Sequence, residues 1–243
     1  MIEQISDELQ EDITLSSLIQ INENRGATYE LLARLYRKEV DAELLEQLKR
    51  MRFPVFTGNE RADEGYRLFA KFLSNTWENT LKELSVDFTR VFFGGGMNAF
   101  SAAYPVESVY TSPKRLTMQA ARNEVLAIYR SQGLDKEESW CEGEDHISVE
   151  MEFMSIMIDR VNEALRNEDD QTAAQLLLVQ KNFLKKHLAA WSPMMTMDMR
   201  RFAKTGLYKG LAYLTDGFLL IDQGLLEDVV VEEDDDEEEP EKE

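Results

Sequence analysis

Cysteine and histidine are nearly missing from this 243-residue chain, which has one cysteine, Cys141, and two histidines, His146 and His187. A single cysteine excludes an intramolecular disulfide and, with it, the small secreted folds built on such bridges. The same scarcity argues against a metal centre, which would have to draw on Cys141, His146, His187 and nearby carboxylates such as Glu142, Asp145 and Glu150. Among these only His146 and Glu150 stand at a helical ligand spacing, and the paired Glu-x-x-His motifs of a di-iron bundle do not occur. There is no Gly-x-Ser-x-Gly elbow and no local signature of a cysteine nucleophile.

Basic residues are also short, with 27 lysines and arginines against 47 acids and a formal charge of −20. From Glu227 to Glu243 there are 12 acids and one lysine, so this tail carries −11 and the body −9. Both parts repel nucleic acid, whose recognition rests on neutralised phosphates; a basic peptide is the natural partner. No apolar run approaches the ~18 residues of a membrane span, since Leu211 to Leu226 is interrupted by Asp216 and Asp222. The opening Met1 to Glu8 has neither the basic region nor the apolar run of a signal peptide. These absences together predict a cytoplasmic protein without an integral membrane segment.

What the chain does have is helical periodicity. Leu15, Leu18, Ile19, Tyr29, Leu32, Ala33 and Tyr36 recur at steps of three and four, as do the apolar residues of 42–51, 61–74 and 77–93. Gly94-Gly95-Gly96 stops the last of these; no Gly-Lys-Ser/Thr follows it, so a phosphate-binding loop is disfavoured and no cofactor is expected. Tyr104 to Pro113 is the longest non-helical candidate, because its two prolines force extended or turn geometry. Its tyrosines can line a groove or pin the loop to the core. Pro113 is expected to open a helix running through Leu116 to a stop at Gly133.

Ile147, Met151, Met154, Ile158, Val161 and Leu165 form the stripe of a core-facing helix. A further helix covers 173–191 and is expected to break at Ser192-Pro193, with shorter ones at 194–203 and 208–220. None of these stretches alternates with a period of two, so the fold is expected to be all-α. The polar connector 134–144 is long for a compact domain and is placed as a hinge between an N-terminal lobe, 15–133, and a C-terminal lobe, 145–226. A flexible start, 1–14, and a disordered acidic tail, 227–243, complete the division. A connector of this length also allows lobes to exchange between protomers, so a homodimer is permitted.

Glu142-Gly143-Glu144-Asp145-His146 ends the connector. Asp145 is expected to cap the following helix, with His146 in its first turn and Glu150 one turn later on the same face. Residue types alone leave capping, metal binding and catalysis open, but an acidic cluster beside a cleft can also hold arginines by charge-assisted bidentate hydrogen bonds.

Four pieces in order resemble the TorD/DmsD-type chaperones of molybdoenzyme maturation, which are related to the NarJ group. They are Asp87-Phe88-Thr89-Arg90-Val91-Phe92, then Tyr104-Pro105-Val106-Glu107-Ser108-Val109-Tyr110, then Glu142 to Ile147 with Glu150, then Phe183-Leu184 through His187-Leu188 to Trp191. The family pattern commonly reads Glu-x-Pro-Asp-His, and Glu144 stands here at the proline position. The resemblance implies a two-lobed helical protein, not an enzyme, that binds the twin-arginine signal peptide and apo form of a molybdenum-cofactor oxidoreductase precursor, delaying export until the cofactor is inserted. It points to Glu142, Asp145 and Glu150 for the arginines and to Tyr104 and Tyr110 for the apolar region, with His146, Pro105 and Ser108 in the same peptide site. The rival readings are a small metal-dependent helical enzyme and a structural adaptor subunit of an oxidoreductase complex.

Overall fold

The computed structural model describes residues 15–94, 102–136 and 139–230. The expected flexible start, Gly95, Gly96 and the acidic residues 231–243 lie outside the described residues. Among the described residues no strand forms, only an isolated antiparallel bridge between Val106 and His146. The protein is all-α, as its periodicity predicts.

In chain order the helices are α1 (Leu15–Arg37), α2 (Ala42–Arg50), α3 (Glu60–Leu73), α4 (Thr80–Phe88), α5 (Glu107–Thr111), α6 (Ala120–Ser131), α7 (Ile147–Arg166), α8 (Asp170–Phe183), α9 (Ala189–Phe202) and α10 (Gly206–Val229). Two wide π-helical turns interrupt them: Thr89–Phe93 continues α4, and Leu184–Leu188 joins α8 to α9. Short polar side chains start several helices by accepting first-turn N–H groups, as Asp41 does for Leu44, Asn59 for Arg61 and Ala62, and Thr205 for Tyr208. Gly94, at φ +71, closes the first π turn by donating its N–H to the Thr89 carbonyl, and Gly133, at φ +69, follows α6; both are positions that favour glycine.

α1 packs along α7, and α3 along α10. Helices before the connector thus find their main partners after it, and segments 15–133 and 145–226 share one apolar core. α10 is buried around most of its circumference. It approaches α3 more closely than side chains allow: a Cβ on Gly217 would lie 2.2 Å from the Ala62 nitrogen, and one on Gly65 2.6 Å from the Leu214 nitrogen. A buried polar lock ties four helices around this core. The Arg25 guanidinium of α1 pairs with Asp222 of α10 and donates to Gln180 of α8 at 2.9 Å, Tyr29 donates to Asp222 at 2.7 Å, and Asn22 donates to Asn162 of α7 at 3.0 Å.

Four local expectations are corrected. Tyr104–Pro113 is not wholly irregular, because Glu107–Thr111 closes a short helix. Pro113 does not open α6; the loop 112–119 intervenes, with Arg115 and Met118 both at positive φ, and α6 begins at Ala120. Pro193 does not end a helix but lies within α9; the irregularity falls in the π turn just upstream, where a wide turn relaxes the regular ladder before the ring that cannot donate to it. α10 runs past Leu220 to Val229, so the first three residues of the expected tail are helical.

The Gly217 contact gives a direct stability test. Alanine normally favours a helix over glycine by about 1 kcal/mol, but at Gly217 it must push α3 and α10 apart, at an overpacking cost of roughly 1–3 kcal/mol. Gly217→Ala is expected to lower the thermal midpoint by several degrees, roughly 2–4 °C per kcal/mol for a chain of this size. The exposed control Gly224→Ala, where a Cβ meets nothing within 4 Å, should hold or raise it.

Candidate functional site

The chain from Ala102 to Thr111 forms a strap across the start of α7. Its backbone is fixed on both sides. The Ala103 N–H donates to the Val91 carbonyl inside the first π turn at 2.7 Å, the Glu107 N–H donates to the Asp145 carbonyl at 2.9 Å, and the Ile147 N–H donates to the Pro105 carbonyl at 2.9 Å. The Asp145 side chain completes the attachment by accepting the Ser108 N–H at 3.0 Å and a short hydrogen bond from the Ser108 hydroxyl.

Asp145 therefore caps the short α5 on the strap rather than α7. The cap of α7 is His146, whose Nδ1 accepts the Ser148 N–H at 3.2 Å. This fixes the neutral tautomer with its proton on Nε2. Burial, with a smaller push from the Arg37 charge, lowers its pKa from 6.5 to about 3, so the ring is neutral at physiological pH. Glu144, standing where the family pattern has proline, is largely buried and pairs closely with Arg122 of α6. Burial, the largest single influence, acts to raise the Glu144 pKa, but the Arg122 hydrogen bond, a backbone hydrogen bond and the Arg122 and Lys136 charges together hold the carboxyl below its ordinary value. An ion pair thus holds this turn where a ring would otherwise restrict it.

Behind the strap lies a buried polar group. Glu107 of α5, Glu150 of α7 and His187 of the second π turn are all inaccessible to solvent. His187 Nδ1 donates to Glu107 at 3.0 Å, and the Trp191 indole N–H donates to Glu150 at 3.1 Å. Burial first, then the charges of Glu107 and Asp145, push the Glu150 pKa well above its ordinary 4.5, against the Trp191 hydrogen bond. Burial and the neighbouring acids thus bias Glu150 towards its protonated form. Tyr110 stacks on Trp191 at 5.6 Å, donates to Asp198 at 3.3 Å and lies under the Arg115 guanidinium. It pins the strap to the core.

Four of the eight expected site residues, Tyr104, Pro105, Glu142 and His146, meet at one cavity of about 290 Å³. Its other walls are mainly aromatic, Tyr36 of α1, Phe88, Phe92 and Phe93 of α4 and its π turn, and Trp140 of the connector, with Arg37, Val106 and Thr117 completing the lining. Phe93 is exposed at its mouth, and Glu142 is the only one of the four expected acids-and-histidine set, Glu142, Asp145, His146 and Glu150, that is exposed. Ser108, Tyr110, Asp145 and Glu150 do not line this cavity; Ser108, Tyr110 and Asp145 hold the strap that does, and Glu150 lies behind it, bonded to Trp191. Sequence reasoning missed Arg37, Trp140 and Glu107. Trp140 had a visible signal, being one of three tryptophans and placed in an otherwise polar connector.

The two buried groups titrate in opposite senses. The folded state holds the proton of Glu150 more tightly than the unfolded chain, so this group's contribution falls as pH rises above 4.5. Glu150→Gln keeps the neutral form, and its thermal midpoint is expected to exceed the parent's at pH 8 and to lose that advantage below pH 4.5. The folded state refuses the proton of His146, whose contribution is lost as pH falls from 6.5 towards 3. His146→Asn keeps a cap acceptor and should flatten the acid limb of the same midpoint-against-pH curve.

The family described as nitrate reductase delta subunit matches residues 59–197, more than half of the chain and all of the strap, connector and second π turn. The chaperone protein TorD of Vibrio cholerae serotype O1 is 23% identical over 216 residues, covering 86% of this chain and 95% of that protein. TorD of Vibrio parahaemolyticus is 24% identical over 212 residues, covering 84% and 95%, and TorD of Aliivibrio fischeri is 26% identical over 214, covering 86% and 97%. With the four motif pieces in order and an all-α fold around them, the chain belongs to the nitrate reductase delta subunit family, in its TorD/DmsD group of molybdoenzyme maturation chaperones.

Proposed function

We propose that this protein is a chaperone, not an enzyme, which binds the twin-arginine signal peptide and the apo form of a molybdenum-cofactor oxidoreductase precursor in the cytoplasm, assisting cofactor insertion and delaying export. The observation that supports this reading is the aromatic cavity with a single exposed carboxylate, Glu142, among its lining residues. Apolar walls suit the hydrophobic part of a signal peptide, and Glu142 suits a guanidinium, which a carboxylate grips in a planar two-bond geometry. The −9 charge of the body draws a basic peptide towards this surface.

The residues then divide by role. Glu142 meets an arginine, Tyr104 and Pro105 form the wall, and neutral His146 forms part of the floor. With Glu150 behind the strap, Ser108 and Asp145 act indirectly, by holding it against α7. Tyr110 does the same through Trp191. No step in this account needs a covalent change; the work is differential binding of an unfinished client.

Calorimetry with a synthetic twin-arginine peptide tests the reading. Binding is expected at low salt and should weaken as salt rises. Glu142→Gln should reduce affinity about two- to fivefold, the value of an exposed ion pair near 0.5–1 kcal/mol. Tyr104→Ala should cost more, about tenfold or above, because it removes an apolar wall worth roughly 1.5–3 kcal/mol. Absence of binding at low salt, or binding indifferent to both substitutions, contradicts the proposal.

A further inference from the structure

The aromatic cavity has a neighbour. A second cavity, of about 210 Å³, lies beside Trp140; Tyr129, Leu134, Val149, Phe153 and Ile156 give it an apolar wall, and Asp135, Lys136 and Glu152 a charged one. The two cavities share Arg37 and Trp140 as lining residues, so the indole ring is the partition between them.

Among the described residues, that partition is held by ring contacts. Trp140 stands edge-on to His146 with centroids 5.5 Å apart, and the Arg37 guanidinium lies 4.8 Å from its ring centroid. Its indole N–H is buried without a hydrogen-bond acceptor among the described residues. The backbone beneath it is tied, since Lys136 donates to the Trp140 carbonyl at 2.8 Å and also to the Glu142 carbonyl. Rotation of the side chain, with the chain path unchanged, is the motion this arrangement permits. Arg37 is held by Glu152 at the rim of the second cavity, and the remaining walls there are mainly apolar.

We propose that the second cavity is a further subsite of the peptide site, taking an aliphatic or aromatic side chain of the same client segment, and that the Trp140 ring is the wall that swings aside to open it. The inference rests on the reading that a basic and apolar segment binds in the first cavity. Continuity through a shared wall makes the occupant that same segment, and the apolar wall of Tyr129, Leu134, Val149, Phe153 and Ile156 is the part that takes an uncharged side chain.

The test uses the full chain labelled with 5-fluorotryptophan, whose three fluorine resonances are assigned with Trp140→Phe. In the protein alone, relaxation dispersion is expected to show exchange at Trp140 and none at the buried Trp191; with a twin-arginine peptide carrying large apolar residues, the Trp140 resonance shifts. A matched peptide with those residues replaced by serine should leave it in place. Trp140→Phe, which keeps an aromatic wall for the first cavity, should bind the apolar peptide close to the parent. A Trp140 resonance that shows neither exchange nor a peptide-induced shift overturns the proposal. Exchange at Trp140 without any peptide binding overturns the proposed function instead, and leaves the movable wall standing.

Discussion

The carboxylate of Asp145 holds together two segments 37 residues apart in the chain. Its two hydrogen bonds to Ser108 seat the strap on the first turn of α7, and the backbone bonds at Glu107 and Ile147 then fall into register. Everything that shapes the aromatic cavity follows from that seating. Tyr104 and Pro105 form one wall because the strap lies where it does, and Ala103 reaches the first π turn, whose phenylalanines form the wall opposite. An acid that looks from its neighbours like a surface charge is therefore a structural clamp, inaccessible to solvent.

Charge is sorted between surface and interior. A chain of −20 still buries Glu107, Asp145 and Glu150 close together, and like charges at such range disfavour one another's ionisation. The structure answers by favouring the protonated form of Glu150, giving Glu107 the His187 hydrogen bond and giving Asp145 the donors of Ser108. Breaking such an arrangement by removing one partner costs more than the arrangement contributes, since the survivor stays buried and unpaired. The exposed acids are thereby separated in function from the buried ones: Glu142 can meet a partner, and the others keep its surroundings in place.

Much of this was legible in the sequence. The stripe from Ile147 to Leu165 reads as core because six apolar residues keep one face, and all six are buried. The cap of α7 was misplaced because Asp145 has the better intrinsic propensity for it; the tertiary demand of Ser108 took that carboxylate away and left His146 to do the work. Pro113 fits a turn as well as a helix start, and Gln119 offers no side-chain cap to mark where α6 begins. The cavity itself was half visible. Tyr104, Pro105, Glu142 and His146 could be gathered by motif, but Tyr36, Arg37, Phe88 and Trp140 come together only through the packing of α1 and α4 across the connector, which no local periodicity encodes.

Hydrogen exchange at the strap tests the clamp most directly. The amides of Glu107, Ser108 and Ile147 are expected to be strongly protected in the parent, and Asp145→Ala should speed their exchange roughly ten- to a hundredfold, the effect of losing charged hydrogen bonds worth about 1.5–3 kcal/mol. Amides of α3 and α10 should keep their protection in the same sample. If the strap amides remain as protected in Asp145→Ala as in the parent, the clamp is not what holds the cavity together.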